Sequence, residues 1–143
     1  MNAAEKQNIA IPDPIKRELS FRKSLRSEKD PEAKHKILLV KNSKLRGYRS
    51  TTIGLAFDNY FITPHWFVYT SKNGSQYVLF EGTLPRPIKT DIDEEWILGG
   101  DMKVFFAFLG EDNFKIGKIE VADKELKAIK YVDILNIIFA PQI

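Results

Sequence analysis

From residue 66 to residue 121 the chain alternates short aromatic and β-branched runs with polar breaks, and this rhythm constrains the fold more than any other feature. Trp66-Phe67-Val68-Tyr69 and Tyr77-Val78-Leu79-Phe80 flank the segment Lys72-Asn73-Gly74-Ser75. Asn-Gly between two such runs is a strong hairpin signal, because both residues tolerate the left-handed backbone of a tight turn. Residues 103–109 and 114–121 repeat the pattern across Gly110-Glu111-Asp112-Asn113. Upstream, Ile37-Leu38-Leu39-Val40, residues 51–57 and Tyr60-Phe61-Ile62 also read as strands. Helical spacing of apolar residues is absent from these runs. Six or seven short strands in about 85 residues predict a mainly β protein built as one antiparallel barrel.

Helical signals lie outside the barrel. Asp13-Pro14 pairs an N-cap acceptor with a proline at the first helical position, where no N–H is needed. Ile15, Leu19 and Leu25 follow near one stripe among Lys16, Arg17, Lys23 and Arg26. Asp30-Pro31 stops the pattern, because the residue before proline avoids the helical region. An amphipathic helix over residues 14–28 is therefore expected. At the other end, a short helix over 124–130 and a strand over 131–139 are expected, although Leu126, Ile129 and Val132 also suit one continuing helix. The chain divides on this reading into a basic helical arm (1–34), the barrel (35–122) and a C-terminal extension (123–143).

Composition narrows the chemistry. At 143 residues one domain is the prior, and about two thirds of the unfolded surface can be buried at that size. There is no cysteine, which excludes disulfides, thiolate metal sites and a cysteine nucleophile within this chain. With two histidines, His35 and His65, nothing in the pattern calls for a metal or another cofactor. No apolar run is long enough for a membrane span and residues 1–10 lack a signal-peptide core, so a cytoplasmic chain is expected. Residues 1–50 hold 13 Lys+Arg against 6 Asp+Glu, whereas residues 51–143 hold 9 against 13. A basic arm on a mildly acidic body suits RNA, an anionic surface or an acidic partner, or is simply a solvated helix face.

Two residues stand out as chemistry. His65 follows the apolar segment Phe61-Ile62-Thr63-Pro64, and Asp101 opens the apolar run that continues to Leu109. An imidazole at a strand end, held by a carboxylate at another, can act as a general base whose tautomer the acid fixes. The acidic run Asp91, Asp93, Glu94 and Glu95 offers other partners for His65.

The segment from Gly54 to His65, Gly-Leu-Ala-Phe-Asp-Asn-Tyr-Phe-Ile-Thr-Pro-His, resembles the strand pair leading to the catalytic histidine of chymotrypsin-like proteases. The order of helix, strands, His65 and then Asp101 is most similar to the viral 3C and 3C-like proteases of picornavirus-related viruses. The resemblance covers about residues 14–121. It implies His65 as general base and Asp101 as its orienting acid. It also implies a C-terminal protease barrel or a polyprotein substrate as partner, and the host-cell cytoplasm as location.

The sequence departs from that family where the nucleophile belongs. Neither Ser50 nor Ser75 sits in a Gly-x-Ser-Gly setting, and Gly99-Gly100 precede Asp101 instead of following a serine. The residues after Val121 are too few for a second barrel. The implied object is half a protease, inactive alone, its nucleophile outside this chain.

A non-enzymatic module binding RNA or a protein partner is the alternative. The family's RNA-binding elements would correspond to the helix bearing Arg17, Arg22, Lys23 and Arg26, and to the link Phe114-Lys115-Ile116-Gly117-Lys118-Ile119. Independently of any family, Tyr48 between Arg46 and Arg49 suits single-strand binding by stacking and phosphate contact.

Overall fold

The Asn73-Gly74 signal makes the hairpin it predicts. In the computed structural model, which describes residues 13–89, 96–97 and 99–140, β1 (Ile62–Thr70) and β2 (Gln76–Thr83) pair antiparallel, with Gly74 at φ +89° in the turn between them. Further on, β3 (Ile88–Lys89) and β4 (Trp96–Ile97) form a separate two-stranded ribbon. Strands β5 (Asp101–Phe108), β6 (Phe114–Val121) and β7 (Lys124–Glu125) complete the main sheet, whose spatial order is β1-β2-β5-β6-β7. Every pairing in it is antiparallel.

Side chains alternate across this sheet as a two-residue period requires. Trp66, Phe80, Val104 and Ile119 face one another across four strands and are all buried on the inner face. Phe67, Leu79, Phe105 and Lys118 form the corresponding row on the outer face. Gly82 lies where a Cβ would come within 2.7 Å of the Phe61 side chain, so only glycine lets that ring reach the sheet.

The inner face is covered by helices, and this overturns the barrel. Residues 37–40 belong to α2 (Pro31–Lys41), residues 53–57 to α3 (Ile53–Tyr60), and residues 131–138 to α4 (Tyr131–Ile138). The fold is mixed, with 35% of the described residues helical and 34% in strands, and its sheet is open. Three segments expected to supply or follow barrel strands are helical, so too few strands remain to close the sheet. The free side of β1 instead bonds Arg26, whose N–H donates to the Val68 carbonyl at 3.0 Å and whose carbonyl accepts from Val68 at 2.8 Å.

Each helix has a readable local cause. Asp30-Pro31 starts a helix instead of ending one, since the helix before it has already stopped at Ser24. Asp30 is extended (φ −86°, ψ 121°) and its carboxylate accepts from the Glu32 and Ala33 amides, with Pro31 beginning α2. Ala33, Ile37 and Val40 then fall on one buried helical face. Thr52 caps α3 by accepting from the Leu55 amide, which places Ile53, Ala56 and Phe57 inward. The C-terminal order is the reverse of that expected: β7, a 3-10 turn at Ala128–Lys130, then α4 with Ile134, Leu135 and Ile138 buried.

These faces meet in one core. Phe57 is fully buried at its centre, with its ring 4.9 Å from Phe80 and about 6 Å from Phe61, Trp66, Phe106 and Phe139. The Trp66 indole donates to Asp58 at 2.8 Å, satisfying its one polar atom. The boundary expected at residue 34 falls inside α2, whose buried face shares this core.

The expected N-terminal helix is present as α1 (Asp13–Ser24) and rests on the outer face. The Phe21 ring packs 4.9 Å from that of Tyr69, and Arg22 grips both carboxylate oxygens of Glu81 at 2.6–2.7 Å. Lys103 lies beneath, with Asp123 at 3.5 Å, Glu18 at 3.9 Å and Glu81 at 4.0 Å. Among the described residues, no helix is long and apolar enough to cross a membrane.

Candidate nucleic-acid interface

The structure places His65 and Asp101 on the same outer face but does not bring them together. His65 stands opposite Glu81, Glu81 opposite Lys103, and Asp101 opposite Thr83. Strand β2 therefore lies between them, and two strand spacings of about 4.8 Å with a two-residue offset along the strands put their backbones roughly 12 Å apart. Asp101 accepts instead from the Thr83 hydroxyl at 2.8 Å. The carboxylate nearest His65 in register, Glu81, is held by Arg22. His65 itself is exposed, its ring 6.3 Å from that of Phe67. A base and its orienting acid work through a hydrogen bond, and among the described residues none joins His65 to Asp101. The alternative carboxylates Asp91, Asp93, Glu94 and Glu95 lie outside the described residues.

The expected basic residues divide into two groups. Arg17, Arg22, Lys23 and Arg26 lie on or just after α1, away from the two cavities between the helices and the start of β6. Two are already committed. Arg22 is forked onto Glu81 and also bonds Glu18, which hold its guanidinium above its ordinary pKa, and Arg26 pairs with Asp30 at 3.2 Å. Arg46 and Arg49 are different. Both line an open cleft of about 490 Å³ between the loop 43–49 and the start of β6.

The cleft is built by the turn that separates α2 from α3. The loop closes on itself, because the Ile53 amide donates to the Ser43 carbonyl at 2.8 Å and the Ser43 hydroxyl donates to the Leu39 carbonyl at 2.7 Å. At its tip the Tyr48 amide donates to the Leu45 carbonyl, with Gly47 at φ +88° in the position where a type II turn favours glycine. That turn holds Arg46 out to solvent. Tyr48 folds back instead. Its hydroxyl donates to Asn136 at 2.7 Å and its ring lies 5.0 Å from Phe139. Burial pushes the Tyr48 phenol above its ordinary pKa, so it remains a donor.

From the opposite side, a bulge in the β5–β6 ladder skips Gly117, pairing Phe105 with Lys118 and Phe106 with Ile116. A bulge bends its strand and re-aims the side chains on either side of it. Here the start of β6 brings Phe114, Lys115 and Ile116 to the cleft. The floor is apolar, made by Leu45, Phe114, Ile116 and Leu135 with the Tyr48 ring. Lys44, Arg46 and Arg49 line it from the loop and Lys115 from β6, where the ladder turns its side chain to the face opposite Phe114 and Ile116, and a single carboxylate, Asp112, lines it as well. Among the described residues, none of those four cations has an ion-pair partner.

This arrangement can hold an anion next to an apolar surface. Its lining includes no histidine, and its two side-chain hydroxyls are both engaged, Ser43 with the Leu39 carbonyl and Tyr48 with Asn136. Sequence reasoning selected Arg46 and Arg49 but not Lys44. The signal was present, since three cations and a tyrosine fall within six residues around one glycine. Lys115 was approached through the segment Phe114-Lys115-Ile116, which proves to be the start of a sheet strand. No family model, curated protein or solved structure matches this chain.

Proposed function

We propose that this chain is a non-enzymatic module that binds single-stranded RNA in the cleft between the loop 43–49 and the start of β6. The observation that carries the reading is a cleft with four cationic lining residues, three of them on one loop and none with an ion-pair partner among the described residues, beside an apolar floor. Cations that spend no charge on carboxylates of their own chain are available to phosphates, and the floor offers apolar contact to bases. Binding is preferred to half a protease because the sheet is open and holds His65 and Asp101 apart.

The test is fluorescence anisotropy with labelled single-stranded RNA across a salt series. Four phosphate contacts on a single strand give a log–log salt slope of about −3. Replacing Arg46 and Arg49 together by alanine is expected to weaken binding and reduce the slope to about −1.5. Binding that ignores salt, or a double variant that binds like the parent, overturns the reading.

A further inference from the structure

A second cavity of about 300 Å³ lies between α3 and the C-terminal end of α4. It adjoins the basic cleft in two ways. Along the chain, Arg49 lines one and Ser50 the other. Through the core, Tyr48 lines one and Phe139 the other, and their rings are 5.0 Å apart. The two hollows therefore share an aromatic wall.

Their chemistry differs. The second cavity has no charged residue in its lining. It combines apolar Leu55, Ala56, Ile138 and Phe139 with the polar side chains of Ser50, Thr51 and Asn59. Those three polar side chains make no hydrogen bond within the described residues. An uncharged pocket with two hydroxyls and an amide has no cation to favour a phosphate. It matches a flat heterocycle with both donors and acceptors on its edge, since an amide can donate to and accept from one base at once. Its volume is at the lower end of the range that small-ligand sites occupy.

We infer that this cavity is a nucleobase subsite: one base of the strand held in the basic cleft turns over the Tyr48–Phe139 wall and is read there by Asn59. The inference rests on the RNA-binding reading and adds a prediction that reading does not make, namely base preference. In groove readout the usual bidentate partner of an amide is the N6/N7 edge of adenine, so adenine is the expected occupant. Single-stranded recognition commonly works this way, by unstacking bases and bonding their edges.

The experiment compares hexamers of adenosine, cytidine and uridine in the same anisotropy assay. Leu55, which is 58% exposed, is changed to Trp to fill the cavity from its rim, and Asn59→Ala removes the amide. The parent is expected to prefer the adenosine hexamer. Asn59→Ala is expected to abolish that preference, and Leu55→Trp to weaken adenosine binding about tenfold. In both variants the salt slope should match the parent, because no cation has been removed. Thermal melts followed by circular dichroism check that both variants keep the fold. If both bind all three hexamers as the parent does, the subsite is refuted while the basic cleft stands. If the parent shows no salt-dependent binding to any hexamer, the cleft and the subsite fail together.

Discussion

Asp30 shows how one residue's chemistry carries structural meaning. Its carboxylate accepts from the Ala33 and Glu32 amides and from Arg26, and these contacts, led by the Ala33 N–H, hold it below the usual carboxylate pKa. A carboxyl whose folded-state pKa is depressed stabilises the fold above its unfolded value, near pH 4, and loses that contribution as pH falls through the folded value. Asn at this position can still cap α2 but cannot titrate. The stability difference between the parent and Asp30→Asn, followed by urea denaturation, should therefore be largest near neutral pH and shrink below about pH 4. A difference constant from pH 7 to pH 2 would show that the cap carries no charge effect. The same dipeptide also marks what was legible at this scale. Helix α1 is described from Asp13, and Asp-Pro at 30–31 carries the same signal as Asp-Pro at 13–14. Reading it as a stop hid α2.

At the scale of elements, the hairpin and the two long strands after it were legible because alternation and turn residues agree there. Residues 37–40, 53–57 and 131–139 were not. Each is apolar and partly β-branched, so its local preference favours a strand, and each becomes a helix because its buried residues recur three or four positions apart. Helix α1 is a different case: it ends at Ser24 rather than near residue 28, Ile15 and Leu19 of the expected stripe are half exposed, and it attaches to the outer face without a single buried residue. Its attachment rests on the Phe21 ring and on the Arg22 fork to Glu81. Because Arg22 is half-exposed, that pair is worth about 1 kcal/mol. Glu81→Gln is expected to speed amide hydrogen exchange in residues 18–24 about fivefold while leaving α2 unchanged. Molar salt should do the same to the parent protein, since it screens the pair. Unchanged exchange in both would mean that the aromatic contact alone holds α1.

For the whole molecule, the decisive object is the aromatic centre where sheet and helices meet. Phe57 comes from α3, Trp66 from β1, Phe80 from β2, Phe106 from β5, and Phe139 directly follows α4. Phe57→Ala should cost about 3–5 kcal/mol in urea denaturation, a large share of the stability of a domain this size. A loss below about 1 kcal/mol would show that α3 does not pack as described. Local sequence settled the hairpin, strands β5 and β6, the basic amphipathic helix and the absence of thiol chemistry, because each depends on neighbours in the chain or on composition alone. Contacts between distant segments decided that three apolar runs coil into helices, that the sheet stays open with His65 and Asp101 apart, and that Arg46 and Arg49 meet Lys115 across a cleft. The reason is physical: a short apolar run gains similar burial free energy as strand or as helix, so the partner surface it must cover selects between them, and that surface exists only once the rest of the chain has folded.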